Sequence, residues 1–559
     1  MATIRIASAL AVLSLAGLPA NAQDPAWIIQ LGSSDSDESH AIAPDGLGGV
    51  YVGGFTTGDL GGTNPSKYSD AGLAHIDGMG NQTWIRQFGT SSDEWMGAAA
   101  ADGSGGVFVT GDTEGSLGGP NAGNLDYWLA RYDSSGNLTW LRQFGSSGTD
   151  QALDLSPAES DGAFVCGQTY GSLIGHNSGS SDAWLARYDA AGKLQWLRHI
   201  VTPKADRAFA VVSDGLSGVY VCGLTEGNLG GQSSGSSDAW LARYDGTGSQ
   251  IWIRQFGTSA AEQAWAAATD GSGGVYVTGY TAGSLGGHHV GGLDAWLAHY
   301  DGSGNCTWVR QFGTPDDDYT PAAASDSSGG VFLGGHTLGS FIGTNAGSAD
   351  AWIAHYDPDG TLAWIRQFGT IEAEYVRAAV ADEVGGLYVG GGTNGVLAGP
   401  NYGGEDAWIA RYVRSPHTYC TAKTSSCGML PTIGYTGTPS ATRSSGFTIA
   451  AARTKAGRFG LLLHSPNGRA NNPFSGGYLC MSAVDLRRSI AVGDTTGTPP
   501  QCDGVLSIDM NAFAQGLLGG NPQPFLLTPG QQVNCQFWGR DTLANGALLT
   551  DALEYFVGM

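Results

Sequence analysis

Carboxylates recur at two fixed places along most of this chain. The first acid opens a segment of small and apolar residues and returns at Asp37, Glu94, Asp150, Asp206, Glu262, Asp318 and Glu374. The second opens an Asp-Ala-Trp-Leu-like segment and returns at Asp70, Asp126, Asp182, Asp238, Asp294, Asp350 and Asp406. Carboxylate and loop carbonyl oxygens are the ligands that Ca²⁺ prefers. Asp37, Glu94, Asp126 and Asp182 are therefore candidate calcium ligands.

The same acids also have a purely structural interpretation. They can accept hydrogen bonds from turn amides, or pair with the repeated arginines Arg86, Arg142, Arg254 and Arg366. The sevenfold repetition favours this interpretation, because an active site needs an asymmetric group of residues and these acids are equivalent in all seven units. The sequence also has no EF-hand and no nonapeptide calcium motif. We therefore expect no resident cofactor, and calcium is the alternative.

Motifs of nucleophilic and nucleotide chemistry are weak or missing. Gly231-Gln-Ser-Ser-Gly235 matches the pattern of a nucleophile elbow, but that motif needs a strand–turn–helix setting and here it falls in a predicted loop. The sequence has no P-loop, no His-Glu-x-x-His and no dinucleotide fingerprint. We predict no catalytic residues, and a protein that is not an enzyme is the favoured interpretation.

Residues that break the repeat carry more information than residues that obey it. Two such positions vary: one directly follows the first acid, and the other precedes a repeated Thr. Mixed aromatic and polar side chains at one face suit glycan or protein recognition. The ligand-binding candidates at these positions are Trp95, Arg207, Tyr280, Tyr319, His336 and Tyr375.

The elements that position these residues follow from a long internal repeat. A near-identical unit opens at Trp27, Trp84, Trp140, Trp196, Trp252, Trp308 and Trp364. Each unit reads as four short strands, such as 264–269, 274–279, 294–300 and 308–312, because each segment is β-rich and bounded by Gly and Asp turns. A period above 40 residues with four strands per unit is typical of a propeller blade.

We therefore predict an all-β fold with a seven-bladed β-propeller over residues 23–413, rather than a solenoid. The segment Trp27–Leu31 should supply the fourth strand of the last blade, beside Asp406–Tyr412, and close the ring. Both sets of recurring acids and the ligand-binding candidates should then lie at the same face, and the tight turns at the other.

The repeat resembles a known family. The pattern Gly-x-x-x-Asp/Glu, then Asp-x-x-Gly-Gly-Val-Tyr-Val-x-Gly-x-Thr, then Asp-Ala-Trp-Leu-Ala-Arg-Tyr-Asp is similar to the SBBP-type bacterial β-propeller repeat over residues 27–413. The resemblance implies a secreted or surface protein. It carries no catalytic residues onto this sequence.

After Val413 the period stops, and residues 414–559 are predicted to form a small β-sandwich, with helical turns near 507–517 and 551–556. Export makes disulfides plausible, and proximity favours Cys420–Cys427 and Cys480–Cys502, with Cys535 left in a strand. Histidines at zinc-ligand spacing are missing. The runs Tyr-Cys-Thr-Ala-Lys, Trp-Gly-Arg-Asp and Asp-Ala-Leu-Glu resemble C-terminal modules of secreted bacterial repeat proteins.

The net charge and the N-terminal segment limit which partners and which location we expect for this chain. The formal net charge is −24, and nearly all of the excess lies in the repeats, so nucleic acid and anionic membranes are poor partners. Residues 1–22 combine Arg5, an apolar run and Ala20-Asn21-Ala22, which is typical of a cleaved signal peptide. We expect an exported monomer, periplasmic, cell-surface or extracellular, with no transmembrane segment in the mature chain.

The sequence thus favours an exported, non-enzymatic binding or scaffold protein that recognises an extracellular protein or glycan. The alternatives are an enzyme acting on extracellular polysaccharide, and a structural surface protein anchored or sorted by its C-terminal domain. Fold alone does not decide among them, because propellers host many functions.

Overall fold

The structure is a computed structural model. It describes residues 25–557 except 65–67, 159–161, 174, 176, 327–328, 383–385, 413–416, 420–421, 424–429, 468, 475–476, 495–503, 529–530 and 540–547. The chain divides into two compact units, one ending at Tyr412 and the other beginning at Val413, with residues 383–385 grouped with the second.

The first unit consists of four-stranded antiparallel sheets, which we number I to VII in chain order. The strand bounds are as follows. Sheet I contains β2 (Asp37–Pro44), β3 (Val50–Thr56), β4 (Asp70–Ile76) and β5 (Gln82–Phe88); sheet II contains β6 (Glu94–Ala101), β7 (Val107–Thr113), β8 (Asp126–Tyr132) and β9 (Leu138–Phe144). Sheet III contains β10 (Asp150–Pro157), β11 (Ala163–Thr169), β12 (Asp182–Tyr188) and β13 (Leu194–Ile200); sheet IV contains β14 (Asp206–Ser213), β15 (Val219–Thr225), β16 (Asp238–Tyr244) and β17 (Gln250–Phe256). Sheet V contains β18 (Glu262–Thr269), β19 (Val275–Thr281), β20 (Asp294–Tyr300) and β21 (Cys306–Phe312); sheet VI contains β22 (Asp318–Ser325), β23 (Val331–Thr337), β24 (Asp350–Tyr356) and β25 (Leu362–Phe368). Sheet VII contains β26 (Glu374–Ala381), β27 (Leu387–Thr393), β28 (Asp406–Tyr412) and β1 (Pro25–Leu31).

The sheets follow one another in a closed succession, which is the arrangement of a β-propeller. The first strand of each sheet contacts the first strand of the next, and β2 of sheet I contacts β26, β27 and β28 of sheet VII. Strand β1 pairs antiparallel with β28, with Ile29 opposite Ile409. The predicted closure of the last sheet by the first segment is therefore confirmed.

Burial explains why the middle strands are so apolar. Second and third strands such as β7 and β12 are buried along almost their whole length, because neighbouring sheets cover both of their faces. Six sheets place a fully buried Trp at the third residue of their third strand. These residues are Trp128, Trp184, Trp240, Trp296, Trp352 and Trp408.

The repeated Trp of each fourth strand connects neighbouring sheets. Trp84 Nε1 donates to the carbonyl of Ser134, 3.1 Å away in the next sheet. Gly136 of the same turn has φ +73°, and a Cβ there would collide with the Trp84 ring. Trp27 of β1 repeats this contact by donating to Gly78 of sheet I at 3.1 Å, so the closing strand is packed like its equivalents.

The second unit also consists mainly of strands. They are β29 (His417–Tyr419), β30 (Thr432–Gly437), β31 (Phe447–Thr454), β32 (Phe459–Ser465), β33 (Arg469–Phe474), β34 (Gly477–Met481), β35 (Arg487–Gly493), β36 (Gly504–Asp509), β37 (Gln532–Gly539) and β38 (Leu548–Phe556). Helix α1 spans Met510–Ala514, and a 3₁₀ turn spans Pro524–Leu527. A five-stranded sheet (β29, β38, β37, β32, β35) and a three-stranded sheet (β30, β31, β36) contribute side chains to one core.

One expectation for this unit is wrong. The segment 551–556 was predicted to be a helical turn, but it belongs to β38, which pairs with β37 along almost its whole length. Its small and apolar residues suit either state in isolation, and pairing with a buried neighbouring strand decides it. The helical turn near 507–517 is present as α1.

Candidate ligand-binding face

The two variable positions of each repeat meet as a cross-strand pair. The residue after the first acid pairs in register with the residue before the repeated Thr of the second strand. Around the sheets, the pairs are Glu38–Phe55, Trp95–Asp112, Gln151–Gln168, Arg207–Leu224, Gln263–Tyr280, Tyr319–His336 and Tyr375–Gly392. All lie at the strand ends that carry the recurring acids.

A third variable position, which sequence reasoning missed, lies two residues further along each first strand. The pairing register shifts there, and the extra residue forms a β-bulge. The bulge places three of these residues against members of the cross-strand pairs: His40 contacts Phe55, Trp265 contacts Tyr280, and Arg377 contacts Tyr375. Phe209, at the same position in sheet IV, stacks on Trp265. Variation of this position between repeats was the signal that could have revealed it.

Aromatic rings from four neighbouring sheets form a continuous series, which we call the aromatic arc. Phe209 stacks on Trp265 with centroids 4.6 Å apart and ring planes at 8°. Trp265 contacts Tyr280 at 6.1 Å, and Tyr280 contacts Tyr319 edge-on at 5.4 Å. The arc thus spans sheets IV, V and VI up to this point.

The arc continues into sheet VII. Tyr319 stacks on His336 at 4.7 Å, and His336 meets Tyr375 edge-on at 5.0 Å. The Arg377 guanidinium lies 5.0 Å from the centre of the Tyr375 ring. The arc therefore brings together all three predicted ligand-binding tyrosines and the predicted His336. It also contains Phe209 and Trp265, which were not predicted.

The arc is accessible and carries one unusual polar group. Trp265 is 36% exposed, and the other rings are half-buried. Nδ1 of His336 is buried without a hydrogen-bond partner among the described residues. Burial, with the neighbouring charge of Arg377, lowers the pKa of His336 to about 3. The imidazole is therefore neutral at physiological pH.

The remaining two candidates lie outside the arc. Arg207 donates through Nη2 to the Tyr170 hydroxyl at 3.3 Å, and its charge acts on the pKa of Tyr280 at the edge of the arc. Trp95 pairs with Asp112 in sheet II. It has no ring contact recorded within the described part of the chain, so the structure does not join it to the arc.

A buried polar network adjoins Trp95. Asp112 accepts from Ala152 N at 3.0 Å and from Gln151 Nε2 at 3.1 Å, and Gln168 Nε2 donates to Gln151 Oε1 at 2.6 Å. Burial raises the pKa of Asp112 to about 7. This part of the face is therefore polar and tightly bonded, in contrast to the arc.

An acid pair lies where sheet VII meets sheet I. The carboxyl groups of Glu38 and Glu405 are within hydrogen-bonding range of each other, and burial together with the Glu38 charge raises the pKa of Glu405 to about 7. Burial also opposes ionisation of Glu38, but the hydrogen bond from His40 (2.8 Å) and the Arg377 charge outweigh it and lower the Glu38 pKa. Oε1 of Glu405 is buried without a hydrogen-bond partner among the described residues, so its environment favours the protonated carboxyl group.

The recurring acids accept hydrogen bonds from neighbouring segments of the chain. Glu94 accepts from Thr90 N at 2.6 Å, from Thr90 Oγ1 at 2.7 Å and from the repeated Thr113 at 2.6 Å. Asp126 accepts from Ala122 N and from Gln143 Nε2, both at 2.9 Å. Both carboxylate oxygens of Glu94 are thus engaged by protein donors, whereas Asp126 accepts only through Oδ2, and its Oδ1 is buried without a hydrogen-bond partner among the described residues.

The calcium candidates Asp37 and Asp182 resemble Asp126, because protein donors reach their Oδ2 while their Oδ1 is buried without a hydrogen-bond partner among the described residues. Asp37 accepts from Ser33 N at 2.5 Å and from Ser33 Oγ at 2.8 Å, and Asp182 accepts from Ser178 N at 3.0 Å. No group of three or more His, Cys, Asp or Glu within the described ranges could hold a metal ion.

Of the two structural interpretations of these acids, hydrogen bonding by turn amides is confirmed, as Thr90 N and Ala122 N show, and pairing with Arg86 or Arg254 is wrong. Arg86 donates to the carbonyls of Gly136, Ser135 and Ile85, and Arg254 makes the same three kinds of contact with Gly304, Ser303 and Ile253. Each guanidinium also lies over the Trp of its own strand, 5.3 Å away for Arg86. Arg86 and Arg254 thus join neighbouring sheets at the turns.

Three of the four predicted disulfide cysteines, Cys420, Cys427 and Cys502, lie outside the described residues, so both pairings stay predictions. Cys535 is buried and free in β37. Gly231–Gly235 lies in the loop between β15 and β16, with no helix after it, as expected. Across the described residues, no helix is long and apolar enough to cross a membrane.

Comparisons with known proteins agree with the repeat. Residues 26–61 match the β-propeller repeat family SBBP. The regulatory protein FlaEY of Caulobacter vibrioides is 28% identical over 225 residues, which are 35% of this chain and 23% of that protein. The match thus spans less than a quarter of that relative's length.

Solved propeller-type enzymes are distant matches. Puromycin hydrolase matches at 12% identity with a TM-score of 0.42, covering 75% of this chain and 59% of that one. The gluconolactonase XC5397 of Xanthomonas campestris matches at 12% identity with a TM-score of 0.31, covering 69% and 89%.

Repeated four-stranded sheets in a closed succession define a β-propeller repeat protein. The match of residues 26–61 to the SBBP β-propeller repeat confirms the resemblance seen in the repeated sequence. The resemblance of residues 414–559 to C-terminal modules of secreted proteins stays a prediction.

Proposed function

We propose that this chain is an exported, non-enzymatic binding protein that recognises a neutral or cationic glycan or protein through the face that carries the aromatic arc. In this proposal the seven sheets are the blades of one seven-bladed propeller, and the second unit is a sandwich-like module that serves as an accessory. The excess of acidic residues in the repeats disfavours anionic partners.

The aromatic arc is the observation that carries the proposal. A run of half-exposed aromatic rings on a rigid sheet scaffold loses little conformational entropy on binding, and aromatic anchors contribute most of the binding energy at many interfaces. Flanking groups such as Gln263 and Arg207 supply hydrogen bonds that fix orientation. Such a surface recognises a ligand without needing to transform it.

An array experiment tests this proposal. The mature protein is applied to arrays of neutral, cationic and anionic oligosaccharides and of extracellular proteins, and every bound glycan is then incubated with it and analysed for cleavage. We expect selective capture of a neutral or cationic partner that is recovered unchanged. Capture of anionic ligands only, or no capture, would contradict the proposal.

The Glu38–Glu405 pair supports a second candidate function, acid–base catalysis on an extracellular polysaccharide. One carboxyl holds a proton near neutral pH and the other is ionised, which is the division of labour that general acid–base chemistry needs. If a captured glycan is cleaved, the Glu405→Gln variant should keep binding and lose cleavage. The Asp189→Asn variant, changed in an exposed turn, is the matched control.

A further inference from the structure

Sheet I lacks the buried Trp that the other six sheets share. The third residue of its third strand, β4, is Gly72. In the other sheets this position holds a Trp whose side chain is fully buried. The exception is invisible in the strand pattern, because β4 pairs with β3 and β5 in the same register as its equivalents.

The Trp at this position makes two kinds of contact. In four sheets its ring meets, edge-on, a Phe from the fourth strand of the preceding sheet, as Phe88 does with Trp128 at 5.5 Å. In three sheets its Nε1 donates to the carbonyl before the repeated Thr, as Trp128 does to Asp112 at 3.1 Å and Trp408 does to Gly392 at 3.1 Å. Nε1 of Trp184, Trp296 and Trp352 is buried without a partner among the described residues. The slot therefore holds a planar indole ring, with a backbone carbonyl within reach of its N–H in half of the sheets that have one.

Both members of the ring pair are missing where sheet VII meets sheet I. Leu31 of β1 stands where five of the other six fourth strands have Phe and β13 has Ile200. A Cβ built on Gly72 would meet no heavy atom within 4 Å. A cavity of about 30 Å³ lies there, lined by Leu31, Val52, Gly54, Phe55, Leu60 and Ala407.

We propose that this cavity is a binding site for an indole-type ring, meaning a planar, apolar ring that carries a single N–H donor. The ring occupies the slot of the missing Trp, and its N–H donates to the carbonyl of Phe55, the equivalent of the Asp112 carbonyl. Leu31, smaller than Phe, leaves additional room on the side of sheet VII.

An indole ring can enter this cavity only if neighbouring side chains move. A volume of about 30 Å³ holds roughly two water molecules, so an indole must displace neighbours. Phe55 and Leu60 line the cavity and are only half-buried, so their side chains can move aside. Glu38 also lines the cavity, so a substituent on the ring emerges beside the acid pair.

The site can receive its ring from a free small molecule or from a Trp side chain of a polypeptide. The shared chemistry is the indole, and two probes separate the sources: indole itself and N-acetyl-tryptophanamide. The proposal does not depend on the aromatic arc, because none of the arc's rings lines the cavity.

The test is titration calorimetry of the full chain with these probes and with 1-methylindole, which lacks the N–H donor. We expect saturable binding of indole, at least about fivefold weaker binding of 1-methylindole, and at least about tenfold loss of indole binding in the Gly72→Trp variant. Binding of N-acetyl-tryptophanamide as well assigns the site to a polypeptide Trp, and binding of indole alone assigns it to a small molecule.

A second variant and a control keep the test decisive. Leu31→Phe narrows the same cavity from sheet VII and should also weaken indole binding, even if Gly72→Trp fails to fold. Leu216→Trp, in an exposed turn at the opposite face, should bind indole like the natural protein. No saturable binding of indole, or equal binding by Gly72→Trp and Leu31→Phe, overturns the proposal.

Discussion

Asp154 is a half-buried residue at a position where the other six sheets have Ala. Its Oδ2 accepts from Val211 N of the next sheet at 2.8 Å. Burial raises the pKa of Asp154 from about 3.8 to about 7. The folded protein therefore binds more protons at this site than the unfolded chain does between about pH 4 and pH 7, so the site's contribution to stability falls as pH rises through that window.

Replacing Asp154 with Asn should remove this dependence. Relative to the natural protein, the variant should gain stability from pH 4 to pH 7 by up to about 1.4 kcal/mol per unit of pKa difference, and the gain should then level off. Urea unfolding at pH values from 4 to 8 measures it. Asp154→Ala should show the same trend, and Asp189→Asn, in an exposed turn, should not. Parallel pH profiles for Asp154→Asn and the natural protein would show that Asp154 is ionised in the fold.

Residue by residue, sequence reasoning found the variable positions but not their neighbours. Tyr280, Tyr319, His336 and Tyr375 share one arc because their positions are paired in register, which a repeat alignment makes visible. Trp265 was missed because its place on the bulge depends on a register shift that no single strand reveals. Glu405 was missed because it reaches Glu38 over Gly392, where any Cβ would overlap its carboxyl group.

At the scale of the element, β1 is the strand on which the ring depends. Trp27 lies over Gly80 of sheet I as Trp84 lies over Gly136 of sheet II. If β1 closes the ring, Trp27→Ala and Trp84→Ala should each lower the free energy of unfolding by a similar amount, about 2 kcal/mol for a half-buried aromatic. Chemical denaturation compares the two variants. A much smaller loss for Trp27→Ala would mean that β1 frays instead of closing the ring.

The strands themselves could largely be predicted, because Gly and Asp turns punctuate each repeat. The predicted strand 294–300 has the bounds of β20, while 264–269 and 308–312 each begin two residues late. Outside the repeat this periodic signal is missing, and 551–556 was assigned to the wrong state because its pairing with β37 is long-range. The absence of Trp at Gly72 was readable from the repeat, but only the structure shows that it leaves a cavity.

At the scale of the whole molecule, the first unit contains a complete succession of sheets. Its last sheet is completed by its own N-terminal strand, and the contact boundary falls at Tyr412. Residues 25–412 expressed alone should therefore fold with a cooperative thermal transition and a strand-rich circular dichroism spectrum. Residues 25–405, which lack β28 and so leave β1 without its partner, are the matched control and should lose this transition. Failure of 25–412 to fold would mean that the second unit supplies part of its core.

The two ends of the strands differ in what they offer a partner. The tight turns have similar sequences and bind their own backbone, as Asp133 does by accepting from Ser135 N and Asn137 N at 2.9 Å. The other end carries the arc, the acid pair and the residues that differ most between sheets. Recognition by one end only is the central claim of this account.

The most direct measurement of that claim is a binding titration of a partner captured on the arrays against three variants. The double variant Trp265→Ala/Tyr319→Ala removes two rings of the arc. The two controls each remove an exposed apolar side chain elsewhere: Leu216→Ala in a turn at the opposite end of the strands, and Phe459→Ala in β32 of the second unit. The account predicts that the double variant loses about 2 kcal/mol or more of binding free energy, with its fold intact by circular dichroism, and that the other two bind normally. Normal binding by the folded double variant, with loss in Leu216→Ala or Phe459→Ala, would contradict it.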